Sequence, residues 1–529
     1  MRRTDGGRAD GALPYGRRHP GRLAQPVRGE AGRQEKRAGE GTFGGREEYR
    51  TNVPHGAPGD GTVISAIPCR KHSPHPRSNL ATVTDTVGIE PGRPVFGEPD
   101  ATRQPKGLWL LFMVEMWERF SYYGMRALLV LYLVNALKWS TADASRLYGN
   151  YTALVYLTPV IGGWLADRFI GTRRSLVIGG AIIALGHFSM AYPSMTMFYV
   201  GLGLIIVGTG FFKSNVSTMV GQLYRQGDPR RDAGFTIFYM GVNTGAFLAP
   251  LVCGYLAQNE SWGNWHYGFA AAGVGMVLGL ITFLWGRDRY LPGIGLRAQD
   301  EVAREKKAQS APLTREERHR VIAIFIVAFF VVFFWAAFEQ AGASMNLFAD
   351  KNTNNTLLGF HFPSSWYQSV NPAAIIVFGI VFAGIWTGLA ARGREPSTPV
   401  KMAVGLFFLS AGFLVLVFGA AVADTGVKVS PAWLIAAYTL HTLGELCLSP
   451  VGLSLVTKLA PVKYASMLMG VWFLANFVAN KLAGELSARM GEFASLQKFF
   501  TIFVVEAAVA GVVLLLISPF LKKLMHGRG

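Results

Sequence analysis

Two glutamates and two arginines stand close together in an apolar part of the sequence, in the segment EMWERFSYYGMR from Glu115 to Arg126. A charged side chain at the centre of a membrane helix costs roughly 2.5–3.5 kcal/mol on insertion scales. On a helical projection Glu115, Arg119, Tyr122 and Arg126 fall within about 60° of one another, so one side of the helix is polar. Such a stripe suits a water-filled cavity in which acids and bases pair, and it offers ion pairing and proton binding. The alternative is a buried salt-bridge cluster that only fixes helix packing.

Other apolar segments also carry polar side chains that a membrane helix would bury. The uncharged ones with hydrogen-bonding or aromatic groups are Asn243, Trp335, Asn371 and Trp472. The charged ones, counted together with those of the first segment, are the bases Arg119, Arg126 and Lys213 and the acids Glu115, Glu118, Glu339 and Glu445. Because these charges are spread over both halves of the chain, they predict a central cavity with an anionic and a cationic pole. A zwitterion would complement that cavity.

The elements that must position these side chains are membrane helices. The chain has 529 residues, of which 50% are hydrophobic, and its mean hydropathy is +0.28. Apolar windows of about 20 residues recur along it, which is the pattern of a polytopic membrane protein. The predicted spans are 108–137, 146–169, 175–192, 196–224, 234–257, 267–286, 319–348, 368–391, 400–423, 431–457, 465–488 and 496–521.

The order of these segments predicts an all-α membrane protein of twelve transmembrane helices in two six-helix bundles, a recurrent plan of secondary transporters. The expected divisions are a basic, disordered extension at 1–105, a first bundle at 106–286, a charged linker at 287–318, a second bundle at 319–524 and a tail at 525–529. The extension is rich in Arg, Gly and Pro and lacks apolar periodicity. Two hypotheses stay open for it: an over-extended gene start, or a true cytoplasmic tail.

The net charge of +18 reflects membrane topology. Beyond the extension, Lys and Arg concentrate in the loops after even-numbered spans and in the C-terminal tail, so the positive-inside rule places both termini in the cytoplasm. We expect an integral protein of the lipid bilayer that binds no nucleic acid. The three cysteines have no metal-binding spacing, and no metal or cofactor is expected.

The loop between the second and third spans has the sequence GGWLADRFIGTRR. Its residues Gly163, Asp167, Arg168, Gly171, Arg173 and Arg174 follow the G-x-x-x-D-R-x-x-G-x-R-R pattern, which resembles that of the major facilitator superfamily. Asp167 could accept hydrogen bonds from arginines and helix ends at the cytoplasmic mouth, in charge pairs that break when the two halves rock. The alternative is an ordinary loop that obeys the positive-inside rule.

Five blocks of sequence resemble the proton-dependent oligopeptide transporter family, over about residues 105 to 520. They are EMWERFSYYG, which fits the E-x-x-E-R-F-x-Y-Y-G motif, and then GTGFFKSNVSTMVG, DAGFTIFYMGVNTGAF, FWAAFEQAG and GELCLSPVGLSLVTKLAP. The resemblance implies a symporter that imports di- and tripeptides by alternating access, with protons as its coupling ion. It also implies a monomer in the bacterial inner membrane. Many bacterial members have two further helices between the halves, and the linker at 287–318 has no room for them.

The resemblance also implies a role for each polar residue. Glu445 and Asn371 would hold the peptide ammonium, Arg119 and Lys213 its carboxylate, and Asn243 its backbone. Side-chain pockets would be lined by Tyr122, Tyr123, Tyr156, Trp335 and Trp472. Proton coupling would involve Glu115, Glu118, Arg119 and Glu339, and ion pairs Arg126–Glu339 and Lys213–Glu445 would gate the two halves. Arg126 would also border the substrate.

Other functions fit the sequence less well. An intramembrane enzyme would need a nucleophile–base or metal motif, and the spans show no HExxH sequence and no paired aspartates. A channel would favour rings of repeated polar residues, while a sensor that binds without transport stays open. The same machine could also carry another solute, such as nitrate, an amino-acid derivative or a peptide-like drug. Lys481 and Glu485 are expected to form a mutual salt bridge or to extend toward the membrane surface, and His187 and Glu506 have no assigned role.

Overall fold

The computed structural model describes residues 103–225, 228–296, 312–357, 359–461 and 464–527. Within them lie twelve long α-helices, so the predicted fold class is confirmed. Their bounds are α1 Lys106–Leu131, α2 Thr141–Leu165, α3 Thr172–Ala191, α4 Met195–Gln222, α5 Arg231–Gln258, α6 Trp265–Tyr290, α7 Arg315–Phe338, α8 Val370–Ala391, α9 Thr398–Ala423, α10 Pro431–Leu459, α11 Ala465–Ala488 and α12 Leu496–Leu524. The predicted extension at 1–105 lies almost wholly outside the described residues, and so does the middle of the linker, 297–311.

Short elements extend or connect these helices. Helix α1 continues as a π-helical turn at Tyr132–Ala136, and α2 continues as another at Ala166–Ile170. After α7 come a 3-10 turn at Glu339–Gly342 and a short helix at Ser344–Lys351. An antiparallel hairpin follows, β1 Thr356–Leu357 with β2 Phe360–His361, in which Thr356 faces His361. Further 3-10 turns precede α8 at Ser364–Ser369 and follow α11 at Met490–Glu492.

The helices match the predicted spans, but several begin earlier because their first turns are polar. The second predicted span starts at 146, whereas α2 starts at Thr141, where the Ser140 hydroxyl accepts from the Asp143 backbone N–H at 3.0 Å. The seventh starts at 319, whereas α7 starts at Arg315 behind a capping box of Thr314 and Glu317. Capping side chains satisfy the free N–H groups of a helix start and are invisible to a hydropathy window.

Ten of these helices, taken with their short extensions, are long and apolar enough to cross a membrane. The remaining two, α1 and α10, carry buried charged side chains. In the first half α1 packs on α5 and α6, and α3 packs on α4 and α6. In the second half α9 packs on α10 and α12, and α8 packs on α10. The two halves meet mainly through α2 with α11 and through the α5 region with the start of α8.

Several polar contacts between the two halves lie toward one end of the bundle, where α1 ends and α2 begins. We call this the joined end. Its contacts include Ser145 with Ser487, Lys481 with Asn150, Gln258 with Ser364 and Asn135 with Asp350. These contacts hold the two bundles together at this end.

Candidate functional site

The polar side of α1 begins with a buried ion-pair cluster around Arg119. The Arg119 guanidinium donates to the Glu115 carboxylate at 2.8 Å and lies 3.0 Å from the Glu118 carboxylate. Both glutamates are buried, with 3% and 2% of their surfaces exposed. Glu115 and Arg119 are one helical turn apart, so α1 itself holds this pair. Two acids share one base here, and the cluster becomes neutral when one acid binds a proton.

Two turns further along α1, Arg126 connects the two halves. Its Nε donates to the Tyr148 hydroxyl of α2 at 2.6 Å, and its guanidinium pairs with Glu339 on the turn after α7. Its carbon Cζ also lies 5.7 Å from the ring centroid of Tyr123. Arg126, Tyr148 and Glu339 are all buried. The structure thus brings together the first pair that the sequence predicts across the halves, at the joined end.

The second predicted pair, Lys213 with Glu445, is not formed in this conformation. The Lys213 ammonium lies 4.0 Å from the ring centroid of Tyr156, within reach of the charges of Glu118 and Glu339. Lys213 is in the middle of α4, and Glu445 is on α10 in the other half. Each of the two side chains instead has a partner within its own half.

Glu445 has a different partner, supplied by the start of α8. The Asn371 amide donates to the Glu445 carboxylate at 2.8 Å and to the Thr442 hydroxyl at 3.0 Å. Glu445 is buried, and Asn371 is partly buried. The amide therefore orients the carboxylate. In α5, the Asn243 amide donates to the Tyr239 backbone carbonyl at 2.9 Å.

The predicted aromatic residues lie around these charges with different degrees of burial. Tyr122 and Trp472 are buried, while Tyr123, Tyr156 and Trp335 are partly buried. The Tyr122 ring meets the Tyr123 ring edge to face, with centroids 5.1 Å apart. Within the described structure, the Tyr122 hydroxyl and the Trp335 indole nitrogen are buried without a hydrogen-bond partner. Buried donors of this kind can bind a polar ligand.

Two arginines of the α2–α3 loop motif, Arg168 and Arg173, contact other residues of the first half. Gly171 ends the π-helical turn with φ +82°, a conformation that favours glycine. Arg173 donates to the Asp288 carboxylate at 3.1 Å and to the backbone carbonyl of Ile294 at 3.2 Å, so it ties α3 to the segment after α6. Arg168 lies over the Trp164 ring at 5.0 Å.

The other motif residues follow the same loop. A Cβ on Gly163 would lie 3.1 Å from the Ser214 hydroxyl of α4, so this position keeps α2 close to α4. Asp167 lies in the π-helical turn with Arg168, and Arg174 is exposed on the first turn of α3.

Sequence reasoning missed two parts of the site. The Tyr148 hydroxyl holds Arg126, but nothing in the local pattern distinguishes this tyrosine from a packing residue. The crossing of α2 with α11 was also missed, although Ser145 and Gly149 show the small-residue spacing of close helix contacts. A Cβ on Gly149 would lie 2.6 Å from the Cα of Gly484, so the two backbones touch.

The residues without assigned roles fall into two groups. Lys481 and Glu485 pair at 2.8 Å, as predicted, and they also contact α2, where Lys481 donates to Asn150 and Glu485 lies near Arg146. In contrast, His187 is fully buried, and neither of its ring nitrogens has a partner among the described residues. The described part of the chain holds no group of three His, Cys, Asp or Glu residues suited to a metal ion.

The chain is similar to known proteins over most of its length. The model of the POT family matches residues 173–294 and 294–502. The transporter YclF of Bacillus subtilis (strain 168), described as uncharacterized, is 38% identical over 80% of this chain and 95% of its own length. A di-/tripeptide transporter of Lactococcus lactis subsp. cremoris is 35% identical over 80% of this chain and 97% of its own. The crystal structure of a POT peptide transporter in complex with alafosfalin superposes with a TM-score of 0.72 at 37% identity, over 80% of this chain and 96% of that one.

Proposed function

The chain belongs to the POT family, and from this premise we propose that it is a proton-coupled symporter that imports di- and tripeptides by alternating access. The observation that carries the proposal is the set of buried charges contributed by both halves. The first half supplies Arg119 and Lys213, and the second supplies Glu445 beside Asn371. A peptide has an ammonium at one end and a carboxylate at the other, so its two ends suit these two poles.

The orientation of the protein is part of the proposal. With both termini in the cytoplasm, the joined end faces outward, and the structure corresponds to a conformation closed to the outside. The basic loops support this orientation by the positive-inside rule, and the apolar helices support an integral membrane location. We place the protein in the bacterial inner membrane, where it works as a monomer with protons as its only coupling ion.

The peptide ends are read by the two poles. The Glu445 carboxylate, held by Asn371, receives the peptide ammonium, and Arg119 and Lys213 receive the peptide carboxylate. Charge-assisted hydrogen bonds of this kind are the strong ones in a partly desolvated cavity. Asn243 bonds the peptide backbone. The aromatic residues give apolar contact that tolerates different side chains.

Proton binding acts on the same ion pairs. When Glu339 is protonated it loses its attraction for Arg126, and one link across the joined end is broken. When Glu115 or Glu118 is protonated, Arg119 is freed to bind the peptide carboxylate. Because these carboxylates lie close together, the proton belongs to the coupled group and not to one residue. Proton binding, peptide binding and the closure of the joined end are therefore linked.

Substitution of Glu445 tests the proposed reading of the peptide ammonium. Glu445→Gln should weaken the competition of zwitterionic dipeptides against a labelled dipeptide by about tenfold or more, since a charged hydrogen bond is worth about 1.5–3 kcal/mol. N-acetylated dipeptides carry no ammonium and should be affected much less. Uptake of the labelled dipeptide into proteoliposomes, in competition with dialanine and with N-acetylated dialanine, provides the measurement. Equal losses for both peptide classes would show that Glu445 serves the gate or the fold.

A further inference from the structure

A cavity of about 360 Å³ lies at the joined end, away from the central charges. Both halves of the protein line it. The lining groups used below are Gln258, Glu260 and Trp265 from the first half and Asp350, His361 and Lys428 from the second. None of these residues belongs to the site described above.

Hydrogen bonds across the halves give this cavity its shape. The Gln258 amide donates to the Ser364 hydroxyl at 3.1 Å, and that hydroxyl donates to Asp350 at 2.9 Å. The other carboxylate oxygen of Asp350 accepts from the Asn135 amide at 2.8 Å. Because Gln258 and Asn135 belong to one half and Asp350 to the other, the cavity has this form only while the halves are joined.

Two charged side chains that line the cavity can still form ion pairs with a ligand. Lys428 is exposed, and its ammonium makes no hydrogen bond or ion pair within the described part of the chain. The Glu260 side chain is 76% exposed, and its recorded contact is with His361 at 3.7 Å. Trp265 adds an aromatic surface beside them. A free ammonium, a loosely held carboxylate and an aromatic side chain together suit a zwitterion with an apolar side chain.

We propose that this cavity is a second binding site for a zwitterion of dipeptide size, and that its occupant holds the outer end of the transporter closed. The orientation and the identity of the ligand as external peptide rest on the proposed function. A ligand that binds only one conformation shifts the population toward it. External peptide at high concentration therefore slows its own uptake, because the carrier returns to the outward-open conformation less often.

Uptake at rising external peptide tests this site. The initial rate in proteoliposomes under a fixed proton gradient should pass through a maximum and then fall. The fall should reach about twofold when the peptide concentration equals the dissociation constant of the second site. The double variant Glu260→Gln with Lys428→Gln should give a rate that rises to a plateau and stays there. Lys351→Gln, a matched change of an exposed lysine at the same end, should behave as the unsubstituted protein.

Cross-linking of the joined end gives a second readout that does not need transport. The Ser145 and Ser487 hydroxyls are 3.0 Å apart, so cysteines at both positions should form a disulfide when the end is closed. Dipeptide should speed this reaction. The part of the acceleration that appears only at high dipeptide concentration should be absent from the double variant. Inhibition and faster cross-linking that survive the double variant, or a rate that never falls, would overturn the site. A protein that takes up no peptide at all would contradict the proposed function, and the cross-linking would still decide on the cavity.

Discussion

Arg119 and Arg126 lie two turns apart on one helix, but they have different ion-pair partners. Arg119 is held by two acids of its own helix, Glu115 and Glu118, so its pairing does not depend on the second half. Arg126 pairs with Glu339 of the second half and is fixed by Tyr148. Breaking a buried ion pair by removing one partner leaves the other charge uncompensated. The first arginine therefore suits proton and ligand binding, and the second suits control of the joined end.

Removal of the Tyr148 hydroxyl should weaken the Arg126 link. A hydrogen bond to a charged group is worth about 1.5–3 kcal/mol, so Tyr148→Phe should destabilise the folded protein by an amount in that range. Tyr151→Phe is a matched control, because Tyr151 is buried on the same helix and its hydroxyl has no partner among the described residues. Unfolding in detergent micelles measures both. Equal stability of the two variants would show that the Tyr148 contact contributes nothing.

At the scale of helices, the joined end depends on the crossing of α2 with α11. The Gly149 and Gly484 backbones touch there, the Ser145 and Ser487 hydroxyls bond beside them, and Lys481 reaches Asn150. Small residues let membrane helices approach closely enough for such contacts. These contacts form only when the two halves are in register. Their presence therefore indicates that the joined end is closed.

A methyl group at this crossing should prevent closure. In Gly149→Ala the new Cβ would lie 2.6 Å from the Gly484 Cα, nearer than side-chain carbons approach in proteins. We expect peptide uptake to fall by about tenfold or more, since overpacking costs about 1–3 kcal/mol. Gly203→Ala is the control, because a Cβ there meets open space. Uptake by the two variants at equal expression provides the comparison, and wild-type uptake by Gly149→Ala would contradict the role of this crossing.

How well the sequence predicts each of these elements depends on the interaction that determines it. Apolar windows mark the membrane helices because burial in lipid requires apolar side chains, and the charges of α1 stand out against that background. The starts of α2 and α7 are set by polar caps at Ser140 and Thr314, which hydropathy does not record. The predicted contact of Lys213 with Glu445 depends on how the two halves are arranged, and the pattern of residues does not record that arrangement.

At the scale of the whole molecule, the proposed function couples closure at one end to charge at the centre. The joined end is held by polar contacts, by the crossing of α2 with α11 and by the contact of the α5 region with the start of α8, while the central acids and bases are shared between the halves. A transporter needs both end states within a few kcal/mol of each other, so that proton and peptide can shift the balance. The pair Arg126–Glu339 links the two halves, so in the proposed mechanism a proton on Glu339 would weaken the joined end.

Neutralising Glu115 should separate peptide movement from proton movement. Glu115→Gln imitates the protonated acid, so the variant should no longer concentrate peptide under a pH gradient. Exchange of labelled for unlabelled peptide needs no net proton transfer and should survive. Arg119→Ala should abolish both activities, because it leaves two buried acids without their base. Concentration of peptide by Glu115→Gln would show that this acid serves packing alone.

Accumulation of a labelled dipeptide in proteoliposomes, with the outside acid and the membrane potential held at zero, tests proton-coupled peptide import most directly. One pH unit is worth about 1.4 kcal/mol per proton, so each coupled proton should support about tenfold accumulation at equilibrium. We predict that the internal peptide concentration exceeds the external one and that a protonophore removes the excess. Internal peptide that only reaches the external concentration, with or without the gradient, would contradict proton-coupled import.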